Sequence, residues 1–197
     1  MLIVASEKLS SIVNYKDRQT CVLFGDGAAA SVISLEGVGL EISCVTLGAD
    51  GKEVDLLKLP AGGCANRASF ETVEKDMHYI TMAGNEVFKH AVRRMEEASK
   101  KCMKITHMTI EDIAWVIPHQ ANQRIIEAIA RRFSGLPQER VFYNVVQKYG
   151  NTSASSVGIS LDELRKEGKI KANDNILLTA FGAGFTWGAA ILKNIHE

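Results

Sequence analysis

The stretch from residue 114 to residue 192 alternates between apolar runs of strand length and amphipathic runs of helix length. We predict, in chain order, strand 114–117, helix 122–133, strand 141–144, helix 153–167 and strands 175–180 and 185–192. Strands that alternate with helices are typical of α/β layers around a mixed or parallel sheet. The sequence therefore predicts an α/β fold.

The N-terminal segment is predicted to begin inside this fold. The bare apolar run Leu2 to Ala5 is typical of a strand buried on both faces. We predict that a short helix (6–13), a strand (21–24), a tight reversal at Gly25-Asp26-Gly27 and a strand (28–35) follow. Asp26 is interpreted as a turn former, with a catalytic acid as the alternative.

The middle of the chain is predicted to change from strand to helix. Residues 40–59 have a strand-like pattern with a turn at 48–52, and 60–66 are typical of an exposed loop. Helical periodicity covers about 70–102. Its predicted buried stripe consists of Met82, Val87, Ala91, Val92 and Met95.

The composition favours a globular cytoplasmic protein. Lysine plus arginine and aspartate plus glutamate number 23 each, so no net charge favours nucleic acid or a membrane surface. The sequence has no apolar run of spanning length and no signal-peptide pattern at its start. The four cysteines form no C-x-x-C pair and the histidines have no zinc-ligand spacing, which predicts reduced thiols and no metal site.

Two residues at junctions before predicted helices are candidates for catalysis. His119 follows the strand 114–117, and Asn151 opens a run of small residues that begins a helix. A histidine fixed at such a junction can direct one ring nitrogen into a cleft, and an amide donor stabilises an enolate without titrating. The alternatives are a helix-capping role for His119 and a cap or turn role for Asn151.

Two other segments carry weaker signals. The turn 181–185 could direct backbone N–H groups at a ligand oxygen, although a plain hairpin explains its glycines equally well. Cys64 is the internal candidate for a nucleophile, but no helix N-terminus follows it to lower its thiol pKa. No serine-hydrolase elbow and no Walker or dinucleotide-binding glycine pattern is present.

Basic residues concentrate on two predicted helices. A docking patch for an acidic protein or a phosphorylated ligand is one interpretation, and a solvated helix face is the other. The residues are Lys89, Arg93, Arg94, Arg124, Arg131 and Arg132.

Five segments together resemble the β-ketoacyl-acyl-carrier-protein synthase III family. They are LFGDGAAASV (23–32), MAGNEVFKHAV (82–92), IPHQANQRII (117–126), YGNTSASS (149–156) and AFGAGFTWGAAI (180–191). The resemblance implies a thiolase-like fold of alternating α and β layers, two similar halves and a homodimer. It also implies an acyltransferase that condenses an acyl-CoA starter with malonyl-acyl carrier protein (malonyl-ACP) in fatty acid synthesis, with no metal and no bound cofactor.

The resemblance assigns roles to matching positions. His119 and Asn151 match the catalytic pair that stabilises the enolate formed on decarboxylation, and Ala183 matches the oxyanion-hole turn. Alanine at that position restricts φ. The pantetheine and CoA tunnel is matched by Gly84, Asn85, Phe88, Ala121 and Asn122. The carrier-protein patch is matched by Lys89, Arg124, Arg131 and Arg132.

The family's nucleophilic cysteine has no counterpart among the four cysteines of this sequence. The resemblance places it upstream of the segment that matches Met1, so we expect a C-terminal portion of a synthase that is inactive alone, poorly stable or paired with an N-terminal fragment. Residues 1–66 are expected to be a remnant of the N-terminal half and 67–197 the C-terminal half, with a core at about 104–195. A non-catalytic fragment that binds only CoA or carrier protein, or a polyketide-type condensing enzyme, is the alternative.

Overall fold

The structure, a computed structural model, describes residues 1–142 and 144–195. The strands are β1 (Leu2–Lys8), β2 (Asp26–Val32), β3 (Leu40–Ala49), β4 (Leu57–Lys58), β5 (Thr81–Met82), β6 (Ile113–Pro118), β7 (Asn175–Gly182) and β8 (Thr186–Asn194). The α-helices are α1 (Phe70–Glu74), α2 (Gly84–Ile105), α3 (Gln123–Arg132), α4 (Asn144–Tyr149) and α5 (Ser155–Lys166). Short 3₁₀ turns occur at Leu9–Ser11, Gly51–Leu56, Ile110–Asp112 and Gln138–Arg140.

The main sheet has four strands in the order β3-β8-β7-β6. β6 and β7 are parallel, whereas β8 is antiparallel to both β7 and β3. The predicted mixed sheet is thus confirmed. Because β6 and β7 run in the same direction, Pro118 and Thr179 lie side by side where both strands approach their carboxyl ends.

Helices cover both faces of this sheet. Val116 and Leu177 face one apolar cluster with α2 and α3, and the adjacent Ile117 and Ile176 face a second cluster with α4 and α5. This alternation is the two-residue period of a strand buried on both sides. The far side of α5 packs against the separate β1–β2 sheet, so α and β layers alternate through the molecule.

The prediction that Leu2 to Ala5 is buried on both faces is wrong. Leu2 and Val4 are 63% and 60% exposed, because their side of the β1–β2 sheet has no covering layer among the described residues. The opposite side lies against α5, where an added Cβ on Gly158 would come within 2.6 Å of the Ala29 side chain. The predicted helix at 6–13 is also wrong, since β1 continues to Lys8.

Gly25-Asp26-Gly27 is not a tight reversal, because Asp26 starts β2, 21–23 form turns and Phe24 makes only an isolated bridge to Asn151. Gly25 is required by a close approach: an added Cβ would lie 1.9 Å from the Tyr149 carbonyl oxygen. Asp26 accepts hydrogen bonds from the Ser10 N–H (2.8 Å) and hydroxyl (2.6 Å), which lower its pKa. Asp26 therefore anchors the segment after β1.

The predicted helix 70–102 is interrupted. It forms as α1 and α2 with β5 between them, and Met82 belongs to β5, which pairs with β4. The remaining stripe residues of α2 are buried as predicted. Val141 makes only an isolated bridge to Val116, and the predicted strand 141–144 lies partly outside the described residues.

Within residues 1–142 and 144–195, no helix is long and apolar enough to cross a membrane. The division of the chain at residue 66 stays a prediction. β3, from the N-terminal side of that division, pairs with β8 from the C-terminal side.

Candidate active site

A cavity of about 1190 Å³ opens beyond the carboxyl ends of β6 and β7. This edge of an α/β sheet is a common place for ligands, because the loops after parallel strands diverge there. The loop after β6, the segment that leads into α5, the N-terminal end of α2 and the β7–β8 hairpin all contribute to its wall.

His119 is held at this edge by the backbone and by one side chain. Its N–H donates to the Thr179 carbonyl at 2.7 Å, which extends the β6–β7 pairing by one residue. Its ring Nδ1 lies 2.7 Å from the Ser156 hydroxyl oxygen. The ring Nε2 has no partner among the residues that the structure describes, and the side chain lines the cavity.

Burial lowers the pKa of His119 to about 4. The cause is desolvation, because the cavity wall around the ring is largely apolar and disfavours the imidazolium form. At neutral pH the ring is therefore uncharged. It can then donate from one nitrogen and accept at the other.

Asn122, and not His119, caps the following helix α3. The Asn122 side-chain oxygen accepts from the Ile125 N–H at 3.0 Å. The capping alternative for His119 is thus wrong, and its ring is free for another role. The apolar residues of α3 recur at helical spacing and form its buried face, with Ile125, Ile126 and Ile129 all at most 3% exposed.

Asn151 is fixed from both sides. Its N–H donates to the Leu23 carbonyl at 2.8 Å, and its own carbonyl accepts from the Gly25 N–H at 2.9 Å. Its side-chain oxygen accepts from the Ser153 N–H at 2.9 Å. The turn interpretation of Asn151 is therefore correct, and its Nδ2 amide is left as a donor that has no partner among the described residues.

The β7–β8 hairpin brings Ala183 to the cavity wall. The positive φ of this turn falls on Gly184 (135°), whereas Ala183 has no positive φ. An alanine is thus accommodated at this position. Its carbonyl accepts from the Thr186 hydroxyl at 3.2 Å.

The residues predicted for the tunnel are brought together here. Gly84, Asn85, Phe88, Ala121 and Asn122 all line the cavity, on the side formed by α2 and α3. Arg124 also lines it, with its guanidinium carbon 5.7 Å from the centre of the Phe88 ring.

The cavity lining contains no cysteine among the described residues. Cys64 is exposed in the loop 60–66. Burial, together with the neighbouring Cys44 thiol, raises the pKa of Cys102 to about 12, so this thiol stays protonated. The position of Cys64 therefore does not support a role as nucleophile.

The basic residues divide into two groups. Lys89, Arg93, Arg124, Arg131 and Arg132 are exposed on the packed pair α2 and α3. Arg94 lies apart from them, 4.3 Å from the centre of the Trp187 ring and paired with Asp50 and Glu97. Arg94 is therefore not part of a docking patch.

Sequence reasoning missed the role of Ser156, which contacts His119 although the two residues are 37 positions apart. The small-residue run 152–156 packs closely against β2, since an added Cβ on Gly27 would lie 2.9 Å from the Ser155 hydroxyl oxygen. Nothing in the local pattern distinguished one serine of the run from another.

Comparisons with known proteins identify the family to which this chain is similar. The family model "3-oxoacyl-[acyl-carrier-protein (ACP)] synthase III C terminal" matches residues 103–194. A second family model, "3-oxoacyl-[acyl-carrier-protein (ACP)] synthase III", matches residues 1–51. The β-ketoacyl-acyl-carrier-protein synthase III of Chlamydia muridarum is 56% identical over 99% of this chain, which covers 59% of that relative.

Solved structures give the same result. The 3-oxoacyl-acyl-carrier-protein synthase III of Aquifex aeolicus matches 98% of this chain and 57% of its own at 45% identity, with a TM-score of 0.84. The priming β-ketosynthase of the R1128 polyketide pathway matches 98% of this chain and 56% of its own at 30% identity, with a TM-score of 0.80. The chain has the thiolase-like α/β fold of these structures, and it belongs to the β-ketoacyl-acyl-carrier-protein synthase III family.

Proposed function

We propose that this chain supplies the decarboxylating half of a synthase III-type site, which condenses an acyl-CoA starter with malonyl-ACP to initiate fatty acid synthesis. One observation carries the proposal: two neutral donors, the His119 ring and the Asn151 amide, line the same cavity. Neither is charged at neutral pH, because burial lowers the His119 pKa to about 4 and an amide does not titrate.

Two neutral donors suit an enolate intermediate. When the bond between the malonyl carboxylate and the α-carbon breaks, carbon dioxide leaves. The electron pair of the broken bond stays on the α-carbon and delocalises into the thioester, so that negative charge collects on the carbonyl oxygen. Donors at that oxygen stabilise the charge, and a largely apolar cavity strengthens the interaction. The enolate carbon then bonds to the carbonyl carbon of an acyl thioester, and the thiolate that held the acyl group leaves.

The other residues of the cavity would bind the substrates. We assign the pantetheine arm to Gly84, Asn85, Phe88, Ala121 and Asn122, which share one side of the cavity. The Ala183 N–H would donate to the oxygen of the acyl thioester. Lys89, Arg124, Arg131 and Arg132 would attract the acidic carrier protein, because they are exposed on adjoining helices.

The acyl-carrying thiol would come from polypeptide beyond the described residues. The described residues that line the cavity include no cysteine, and the chain spans 59% of the C. muridarum relative. The division into an N-terminal half to residue 66 and a C-terminal half from residue 67, a homodimeric assembly and a cytoplasmic location belong to the same proposal.

The proposal is tested with a fusion protein. The part of the C. muridarum synthase that this chain does not match, expected to carry the cysteine, is joined to Met1 of this chain. We expect the fusion to become acetylated by acetyl-CoA and to release carbon dioxide and a β-ketoacyl product with malonyl-ACP. His119→Ala should abolish condensation and keep acetylation. A folded fusion that is acetylated but condenses nothing contradicts the proposal.

The same absence of a lining cysteine favours a second candidate, a protein that binds CoA or carrier protein without acyl transfer. Titration calorimetry of the 197-residue chain with malonyl-CoA and with carrier protein tests it. Binding together with an inactive fusion would favour this candidate. Product analysis with different acyl-CoA starters would distinguish a polyketide-priming enzyme.

A further inference from the structure

Ser156 connects the catalytic candidate His119 to the beginning of α5. Its hydroxyl oxygen lies 2.7 Å from the His119 Nδ1 and accepts the Gln120 N–H at 3.3 Å. Ser156 is completely buried, and its carbonyl accepts from the Ser160 hydroxyl at 2.8 Å. Ser156 is the second residue of α5, and the backbone of this helix places its hydroxyl beside His119.

The hydrogen bonds of this hydroxyl determine where its proton goes. A serine hydroxyl has one proton to donate and two lone pairs that accept. The Gln120 N–H uses one lone pair. Among the described residues, the His119 Nδ1 is the only other hydrogen-bond partner of the Ser156 hydroxyl, so the serine proton has an acceptor only if Nδ1 carries none. A buried hydroxyl proton without an acceptor costs about 1 to 3 kcal/mol.

We propose that Ser156 is a positioning residue that keeps His119 in the tautomer with its proton on Nε2. The inference rests on the proposed function, in which that nitrogen faces the substrate. With the proton on Nε2 the ring donates into the cavity, whereas the other tautomer would present a lone pair to the carbonyl oxygen and repel the enolate. The neighbour at one ring nitrogen thus selects the chemistry of the other.

The same short segment orients both donors. Ser153, three residues before Ser156, holds the oxygen of Asn151 through its N–H, and the Ser156 N–H donates to the Ser153 carbonyl at 3.2 Å. The turn that directs the Asn151 amide is therefore hydrogen-bonded to the residue that selects the His119 tautomer. Both side chains should present N–H groups to one substrate oxygen.

The tautomer can be measured directly. In the chain labelled with ¹⁵N-histidine, long-range ¹H–¹⁵N correlation spectra distinguish a protonated from an unprotonated ring nitrogen, and His119→Gln identifies the signal of His119. We expect the wild type at neutral pH to show the Nε2–H tautomer alone. Ser156→Ala should lower the ratio of Nε2–H to Nδ1–H at least about tenfold, the equivalent of one hydrogen bond.

Two further variants make the result decisive. Ser160→Ala removes an equally buried hydroxyl one turn along α5 that does not contact His119, and it should leave the ratio unchanged. Ser156→Cys keeps a similar side-chain volume but carries only the weak S–H hydrogen-bond donor. It replaces Ser156→Ala in the experiment if that variant does not fold. A wild-type Nδ1–H tautomer, or an unchanged ratio in a folded Ser156 variant, would overturn the proposal.

Failure of this inference is distinguishable from failure of the proposed function. The spectra require no activity, so a selected Nε2–H tautomer in a fusion that cannot condense supports the positioning role and contradicts the function. An active fusion whose His119 tautomer ignores Ser156→Ala supports the function and contradicts the positioning role. In an active fusion, Ser156→Ala should lower kcat for condensation and leave acetylation unchanged.

Discussion

The side-chain oxygen of Asn151 accepts the backbone N–H of Ser153 at 2.9 Å. A carboxamide can accept a hydrogen bond only through its oxygen, so this contact fixes which end of the amide is free. The free end is the nitrogen, a donor, and Asn151 lines the same cavity as His119. The loop thus defines the chemical identity of the group that a substrate meets.

Replacement of Asn151 by aspartate tests the donor role of its amide separately from the hydrogen bond of its oxygen within the loop. Asn151→Asp keeps an oxygen for the Ser153 N–H but replaces the NH₂ donor with a carboxylate oxygen. We expect condensation by the fusion protein to fall about 100- to 1000-fold, as for loss of an oxyanion donor. Asn151→Ala should reduce condensation by a similar factor. It should also lower the unfolding free energy by about 1 kcal/mol, because the Ser153 N–H loses its acceptor. Wild-type condensation rates in Asn151→Asp would contradict the donor role.

The buried His119 should make stability depend on pH. Its pKa is lowered to about 4 in the folded chain from an ordinary value of 6.5. Between these values the unfolded chain binds more protons, so acidification from pH 6.5 to pH 4 favours unfolding. A shift of this size corresponds to roughly 3 kcal/mol of unfolding free energy.

Urea denaturation across pH 4 to 7.5 measures this effect when wild type and His119→Gln are compared, since contributions of other groups are common to both. We expect the unfolding free energy of the wild type to fall more steeply with acidification than that of the variant. Equal slopes would show that the ring is charged in the folded chain or titrates normally.

Local patterns predicted the elements whose own apolar residues recur at helical or strand spacing. The apolar residues of α3 recur at helical spacing, and β6, β7 and β8 are three adjacent strands of the main sheet. The junction that carries His119 follows directly from such a strand–helix pair. Periodicity records which face of an element is apolar, and here the fold buries that face.

Long-range contacts explain the failures. The helical pattern continued through Met82, but the Ala83 N–H donates to the Leu56 carbonyl and β5 pairs with β4, a contact that no local period reports. Gly25 looked like a turn residue, although its need for glycine comes from the Tyr149 carbonyl. The exposure of Leu2 depends on which layers cover a sheet, and a strand's own sequence does not specify that.

The apolar face of α3 should dominate the stability of its layer. Ile129 is fully buried in the cluster formed with α2 and the main sheet. Ile129→Ala should lower the unfolding free energy by about 2 to 5 kcal/mol, because the removed atoms leave a cavity that neighbours fill only in part. Glu127→Ala, on the exposed side of the same helix, is the control and should change it by at most about 0.5 kcal/mol. Urea denaturation of both variants gives the comparison.

Charge reversal on α3 should weaken carrier-protein binding in a salt-dependent way. Arg131 is exposed and has no ion pair among the described residues, unlike Arg132, whose Nε lies 3.5 Å from a Glu96 oxygen. We expect Arg131→Glu to raise the Kd for carrier protein about tenfold at low salt and less at high salt, since screening removes the attraction. Arg165→Glu, on α5 across the sheet, makes the same charge change and should have little effect. Calorimetry at two ionic strengths measures both.

The uncovered side of the β1–β2 sheet should drive self-association of the isolated chain. Leu2, Val4 and Val32 are 63%, 60% and 80% exposed on this side, with Leu2 directly opposite Val32. Contiguous apolar surface of this kind mediates association. Leu2→Lys combined with Val32→Glu places opposite charges across the strands, which should preserve their pairing while making the face polar. Sedimentation velocity should show concentration-dependent association for the wild type and a monomer for the double variant. Phe70→Lys, at a single exposed apolar residue on α1, should associate like the wild type, and a wild type that stays monomeric at every concentration would contradict the prediction.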